Sequence, residues 1–261
     1  MHRALHLGIG LRVGLLLSAA VLGAAGTAAP AGEFPSALAA LDRAGASGQT
    51  TAERLEDEYL NLLSQALSRE QVGLVYAHVG LMYVQAGARY CDATEAYCRE
   101  ALRYPLPVVL AARLHMEISN AVGYRYVLWP DKRAYIARYM NAEAALEALA
   151  FMVASGAPRV PAPAPTMVMP DIVGPHADEA VRHQLSANAA AQEKSDALKE
   201  LCQYRSQLVD RLAYMYSKPP QTADELHALA LDALSRYPEV VQEIMDRLAT
   251  KLGQGAKPLP K

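Results

Sequence analysis

The residues best suited to chemistry are three cysteines, five histidines beyond residue 30 and a few paired acids. Cys91 and Cys98 lie seven residues apart, with Cys202 far along the chain. On one helix that spacing separates the Cα atoms by about 10 Å, beyond disulfide reach. The geometry favours small buried hydrophobes over a bridge; a bridge from either cysteine to Cys202 stays open. His78, His115, His176, His183 and His227 form no H-x-x-x-H pair. His176 and His183, with Asp178 and Glu179 beside them, fall short of the three or four converging ligands a metal needs. They read as a solvated helix start, and no cofactor or metal is expected. There is no nucleophile elbow, no glycine-rich phosphate loop and no C-x-x-C-H. Paired acids such as Glu56 and Asp57 read as solvated helix faces. Together these absences argue against an enzyme.

Tyrosine is over-represented, at 14 against 2 Phe and 1 Trp. Tyr124, Tyr126, Trp129, Tyr135 and Tyr139 cluster. Such residues suit a recognition surface, but the favoured reading is helix packing with the hydroxyl reaching solvent.

The elements that must position these residues are helical. The 261 residues are 52% hydrophobic and 20% charged, which supports a core and excludes a disordered chain. Residues 1–28 read as a secretory signal peptide: Arg3 and Arg12, an apolar run from Val13, then small residues with cleavage expected near Ala28. The run is too short for a stable membrane span, so the mature protein is expected in the periplasm or outside the cell. Removing it takes Arg3 and Arg12 and moves the net charge from −2 to −4. An acidic chain carries no field for nucleic acid or anionic lipid.

Residues 29–50 hold a short helix and a loop. From 51 to 153 the pattern is helical throughout, with capping boxes at Ser68–Gln71 and Asp92–Glu95 and a stop at Gly87. Pro107 and Pro130 are placed to open further helices. Residues 154–175 carry six prolines and read as extended chain; their apolar second half is expected in a groove of the helical body. The block 176–253 opens with a breaker-free run from Ala177 to Ser217, about 60 Å as a helix. Leu198, Leu201, Leu208, Leu212 and Met215 there approach a heptad. A C-terminal helical hairpin follows, opened by a capping box at Thr222–Glu225, and residues 254–261 form a disordered tail. No segment alternates long enough to be a strand. The expectation is an all-α protein.

Tyr76, Val79, Gly80, Tyr83 and Gly87, followed by Tyr97-Cys98, Ala101-Leu102 and Pro105, resemble one tetratricopeptide (TPR) repeat. Ile118, Ser119, Asn120 and Ala121 resemble the core of a second. Gly80 and Ser119 then stand 39 residues apart, against 34 in the family. The resemblance covers about residues 68–153 and implies stacked helical hairpins whose first helices line a groove. By position it implies His78, Leu81 and Gln85 in one unit, and Arg113, Glu117, Asn120 and Tyr124 in the next, as contacts for a protein or peptide partner. Ala77 and Leu81 stand where a carboxylate clamp needs polar residues, so the implied ligand is not a chain terminus. The heptad-like stretch suggests a competing role, a homo-oligomeric scaffold.

Overall fold

The computed structural model describes residues 33–48, 50–65, 67–128, 134–161, 163–168, 177–217 and 238–252. Residues 1–28, read above as a signal peptide, together with Trp129, Pro130, His176, His227, the box expected at Thr222–Glu225 and residues 254–261, lie outside them. All regular structure among the described residues is helical, and the chain is an all-α protein. Its contacts divide it into two compact units, Met1–Ala134 and Tyr135–Lys261. The division falls earlier than the boundary read from sequence at 153/154.

The first unit stacks α1 (Glu33–Ala46), α2 (Ala52–Asn61), α3 (Arg69–Ala86), α4 (Cys91–Ala101) and α5 (Val108–Leu128). Each packs on its chain neighbour, because a single hairpin of this amphipathicity leaves an apolar face exposed. Thr51 and Ser68 cap as their sequences dictate. The Thr51 hydroxyl accepts from the Arg54 N–H. Ser68 and Gln71 exchange both bonds of a capping box. The α2 run is shorter than its leucines suggest: it gives way at Leu62–Ser64 to a 3₁₀ turn.

The box expected at Asp92–Glu95 does not form. Gly87, at φ 106°, turns the chain into a short 3₁₀ turn, Ala88–Tyr90. The helix then begins at Cys91, with Tyr90 at its N-cap and no side-chain cap. Asp92 therefore falls inside the first turn and its carboxylate pairs across to α5. Arg125 donates to it at 2.8 Å and also to Glu95.

Gly80 lets α4 close on α3, and Gly73 admits the connection from α4 to α5. A Cβ on Gly80 would sit 2.7 Å from Cys98 Sγ and 3.2 Å from the Cys98 backbone nitrogen. Two turns earlier, a Cβ on Gly73 would meet Tyr104 Cβ at 2.7 Å. Cys98 is wholly buried and cannot move aside. Gly80→Ala is therefore expected to force the helices apart at a cost of about 1–3 kcal/mol, read from urea unfolding. Adding Cys98→Ala should return part of that loss, a coupling that a double-mutant cycle measures directly.

The second unit contains α6 (Ala134–Ala154), α7 (Ala177–Ser217) and α8 (Pro238–Leu252). Over its second half α7 buries Leu201, Leu208, Leu212 and Met215, with α8 packed against it. Position 205, where the heptad spacing asks for another apolar residue, holds a buried arginine. Arg205 donates to the Ala157 carbonyl at 2.6 Å and to Glu243 of α8 at 2.7 Å. It thus ties the exit of α6 to α7 and α8. The first half of α7 is mostly exposed. The groove expected for the proline-rich segment is not seen as far as Val168: Met167 and Val168 are both more than half exposed. Residues 169–176 lie outside the described ones.

Candidate functional site

The first unit carries an open cleft built where the α3–α4 turn meets α5. Val84 and Gly87 come from the end of α3, and Ala88, Cys91 and Thr94 from the turn and the start of α4. Glu117, Asn120, Ala121 and Tyr124 come from α5, at the three- and four-residue steps that put them on one helix face. Gly87 makes the cleft possible through its backbone. Its φ of 106° is closed to other residues, while a Cβ there would meet nothing within 4 Å.

Among the seven residues implied by the resemblance, Glu117, Asn120 and Tyr124 are brought together in this cleft. Asn120 Nδ2 donates to Glu117 Oε2 at 3.0 Å, which fixes both side chains on the cleft wall. Tyr124 stands at the rim, 52% exposed. Arg113 is exposed one turn before Glu117, and Gln85 is exposed on α3. Leu81 is half-buried. None of these three lines the cleft. His78 is drawn into the protein's own packing: its Nδ1 meets Asp42 of α1 at 2.7 Å. The resemblance could not foresee that, because α1 precedes the repeat-like region. Cys91, Thr94 and Val84 line the cleft without any sequence signal beyond their closeness to Gly87.

The cleft's volume of about 30 Å³ admits a side-chain tip. A small-molecule site occupies several hundred Å³. Cys91 lines the cleft and Cys98 does not. Burial pushes Cys98 up to about 12, with Glu117 adding to the rise and Arg113 opposing it. Burial, then Asp92, raises Cys91 as well. Both stay protonated at neutral pH, and reactivity needs the thiolate. All three cysteines are free and buried. Among the described residues no three His, Cys, Asp or Glu side chains group to hold a metal ion.

Among the described side chains, tyrosines outside the sequence cluster pin the helices of the first unit. Tyr124 is the one member of that cluster whose side chain is described. Glu56, expected to be solvated, instead accepts from the hydroxyls of Tyr83 on α3 and Tyr97 on α4. Asp42 accepts from Tyr59 at 2.7 Å, and Glu53 from Tyr90 at 2.8 Å. These pins join α1, α2, α3 and α4 and hold α3 and α4 in the register that shapes the cleft. Tyr83 and Tyr97 also stack, with centroids 6.0 Å apart.

No protein-family model, curated protein or solved structure matches the chain.

Proposed function

We propose that this is an exported, non-enzymatic helical-repeat protein that holds a segment of a protein or peptide partner in the cell envelope. The observation that carries the reading is the convergence of Glu117, Asn120 and Tyr124 on one cleft of side-chain size. An exposed tyrosine beside a fixed carboxylate–amide pair suits a protein contact, with the ring as anchor and the pair as orienting acceptors. The kinship to TPR repeats is supported by Gly80, whose small side of α3 lies against Cys98 of α4. Export rests on the pattern of residues 1–28. Among the described residues no helix is long and apolar enough to cross a membrane.

The test is crosslinked capture from native envelope with the mature chain, beside Tyr124→Ala and Arg113→Glu/Tyr124→Ala variants. Tyr124→Ala is expected to weaken capture of a specific partner by about 2 kcal/mol, roughly thirtyfold, with helicity by circular dichroism unchanged. Partners retained equally by all three baits defeat the reading. A second reading, self-association through α7, loses the heptad-like stretch that suggested it, because Leu201, Leu208, Leu212 and Met215 are buried within the chain, on the helix against which α8 packs; the mostly exposed first half of the helix is what remains for it. It requires a mass that rises with concentration in sedimentation.

A further inference from the structure

The cleft between the α3–α4 turn and α5 holds a carboxylate that the chain leaves without a cation. Glu117 Oε2 accepts from Asn120 Nδ2 at 3.0 Å. The other oxygen accepts from no group of the chain and is not sealed from solvent. Carboxylates close by are answered: Asp92 and Glu95, early in α4, share Arg125. Arg113, one turn before Glu117, is exposed and makes no ion pair with it. Arg89, next to the lining residue Ala88, lies over the Tyr90 ring, 4.6 Å from its centroid. Among the described residues no cation pairs with Glu117.

A second polar group of the same cleft is also left over. Thr94 lines it and is only 4% exposed, yet its hydroxyl bonds to no group of the chain. A buried hydroxyl ordinarily finds a partner. Thr94 and Glu117 thus offer acceptors for a donor that comes from outside, and Asn120 already fixes the carboxylate, which limits the entropy lost on binding.

The cleft also selects the shape of the donor. Val84, Ala88 and Ala121 give it apolar walls, and Tyr124 stands at its rim. Lysine has the matching parts, an apolar stem and a compact ammonium head. The volume of about 30 Å³ takes about two or three groups of water size, since one needs about 10–15 Å³. An ammonium fits with the methylene behind it. A guanidinium is a wide rigid plane and needs more room. The ammonium at a chain's N-terminus sits on a branched carbon that carries the backbone, and its width keeps it out. The exposed Tyr124 ring attracts an ammonium at the mouth.

We propose that this cleft takes a lysine side chain of the partner segment, with the ammonium donating to Glu117 and Thr94 and the stem lying on Val84 and Ala121. This chemistry presupposes the partner-binding role of the cleft and names what the cleft recognises.

The probe is the peptide acetyl-Ala-Ala-Lys-Ala-Ala-amide, titrated into the mature full chain and followed by heteronuclear NMR. Saturable shifts are expected at the Asn120 side-chain amide and the Thr94 and Ala121 amides, with a Kd of about 1 mM. Acetylating the lysine removes its charge and should weaken binding at least about tenfold. The arginine peptide, and an all-alanine peptide with a free N-terminus, should bind severalfold more weakly than the lysine peptide. Glu117→Gln keeps the shape and an acceptor for Asn120, and circular dichroism checks its helicity. It should abolish the preference for lysine over acetyl-lysine. Tyr124→Phe keeps the ring and should bind as the parent does. No saturable shift up to about 20 mM overturns the proposal. So does equal binding of the acetylated, arginine or free N-terminal peptide, or a preference that survives Glu117→Gln. Envelope capture separates this failure from that of the cleft itself. A partner lost with Tyr124→Ala but kept by Glu117→Gln overturns the lysine and leaves the cleft as a binding site. A partner kept by both variants removes the site as well.

Discussion

Arg205→Ala is expected to destabilise the second unit by about 3–5 kcal/mol, while the first unit keeps its stability. The guanidinium is buried where α7 would ordinarily place a leucine. Its partners are the Ala157 carbonyl and Glu243, a carboxylate whose side chain is only 14% exposed. Removing the arginine leaves that carboxylate partly buried beside Arg159 alone, which lies 3.5 Å away and is itself well exposed. It also leaves the Ala157 carbonyl without its donor and opens a cavity in the seam with Leu201, Leu208 and Leu212. Each loss acts in the same direction. The decisive contrast is the pair Arg205→Met/Glu243→Leu. Replacing a buried ion pair with apolar side chains of similar volume is often neutral or stabilising, so the double variant should recover most of the loss. Native-state hydrogen exchange separates the units. Amides around residues 157, 205 and 243 should lose protection in Arg205→Ala and regain it in the double variant. Those of α3 and α4 should not change. Equal loss of protection in both units would show that the arginine stabilises the whole chain rather than one joint.

The same residue shows what the sequence makes legible. Leu198, Leu201, Leu208, Leu212 and Met215 announce the α7 seam, and the structure buries all but Leu198 fully. The missing step at 205 was visible only as a gap, because an arginine in a heptad reads as polar until its partners are known. Those partners are 48 and 38 residues away. Local signals fared well for the same reason: Ser68 and Gln71 cap a helix three residues apart, and both ends of the interaction lie within one turn. The apparent box at Asp92 failed because the turn at Gly87 starts the helix ahead of it, at Cys91, and Asp92 then pairs with a remote arginine, Arg125. Glu56 was misjudged likewise, since its two tyrosines lie on other helices. In the cleft, the α5 residues share a face by helical spacing and could be read together. Their closeness to Cys91 and Thr94 depends on the turn at Gly87, whose angle no residue pattern states.

Raising the pH above 10 is expected to unfold the first unit cooperatively, through the tyrosines that pin it. Burial raises Tyr76 to about 12, with Tyr104 and Glu100 contributing. It raises Tyr59 and Tyr83 further, reinforced by hydrogen bonds to Asp42 and Glu56. In the unfolded chain all three lose their protons near the ordinary value of about 10. Below that pH both states keep the proton, and stability does not depend on these groups. Above it the unfolded state binds fewer protons than the folded one, so stability falls as pH rises. Each tyrosine contributes about 1.4 kcal/mol per pH unit, and the three together about 4. The Tyr76 contribution levels off near 12, while those of Tyr59 and Tyr83 continue. A domain of ordinary stability, about 5–15 kcal/mol, then fails within one to a few pH units, and the three phenols ionise as it opens. Tyrosinate absorbance and helical circular dichroism should therefore change in one step. Glu56→Ala sharpens the test. It removes the acceptor that the Tyr83 and Tyr97 hydroxyls share, at about 1–3 kcal/mol for each bond lost. At about 4 kcal/mol per pH unit, a loss of that size moves the alkaline midpoint down by about one unit. Tyr83→Phe removes donor and demand together, costs about 1 kcal/mol and should move it much less. Phenols that titrate gradually, well before the helix signal falls, would mean that the tyrosine–carboxylate pins do not hold the α3–α4 register on which the cleft depends.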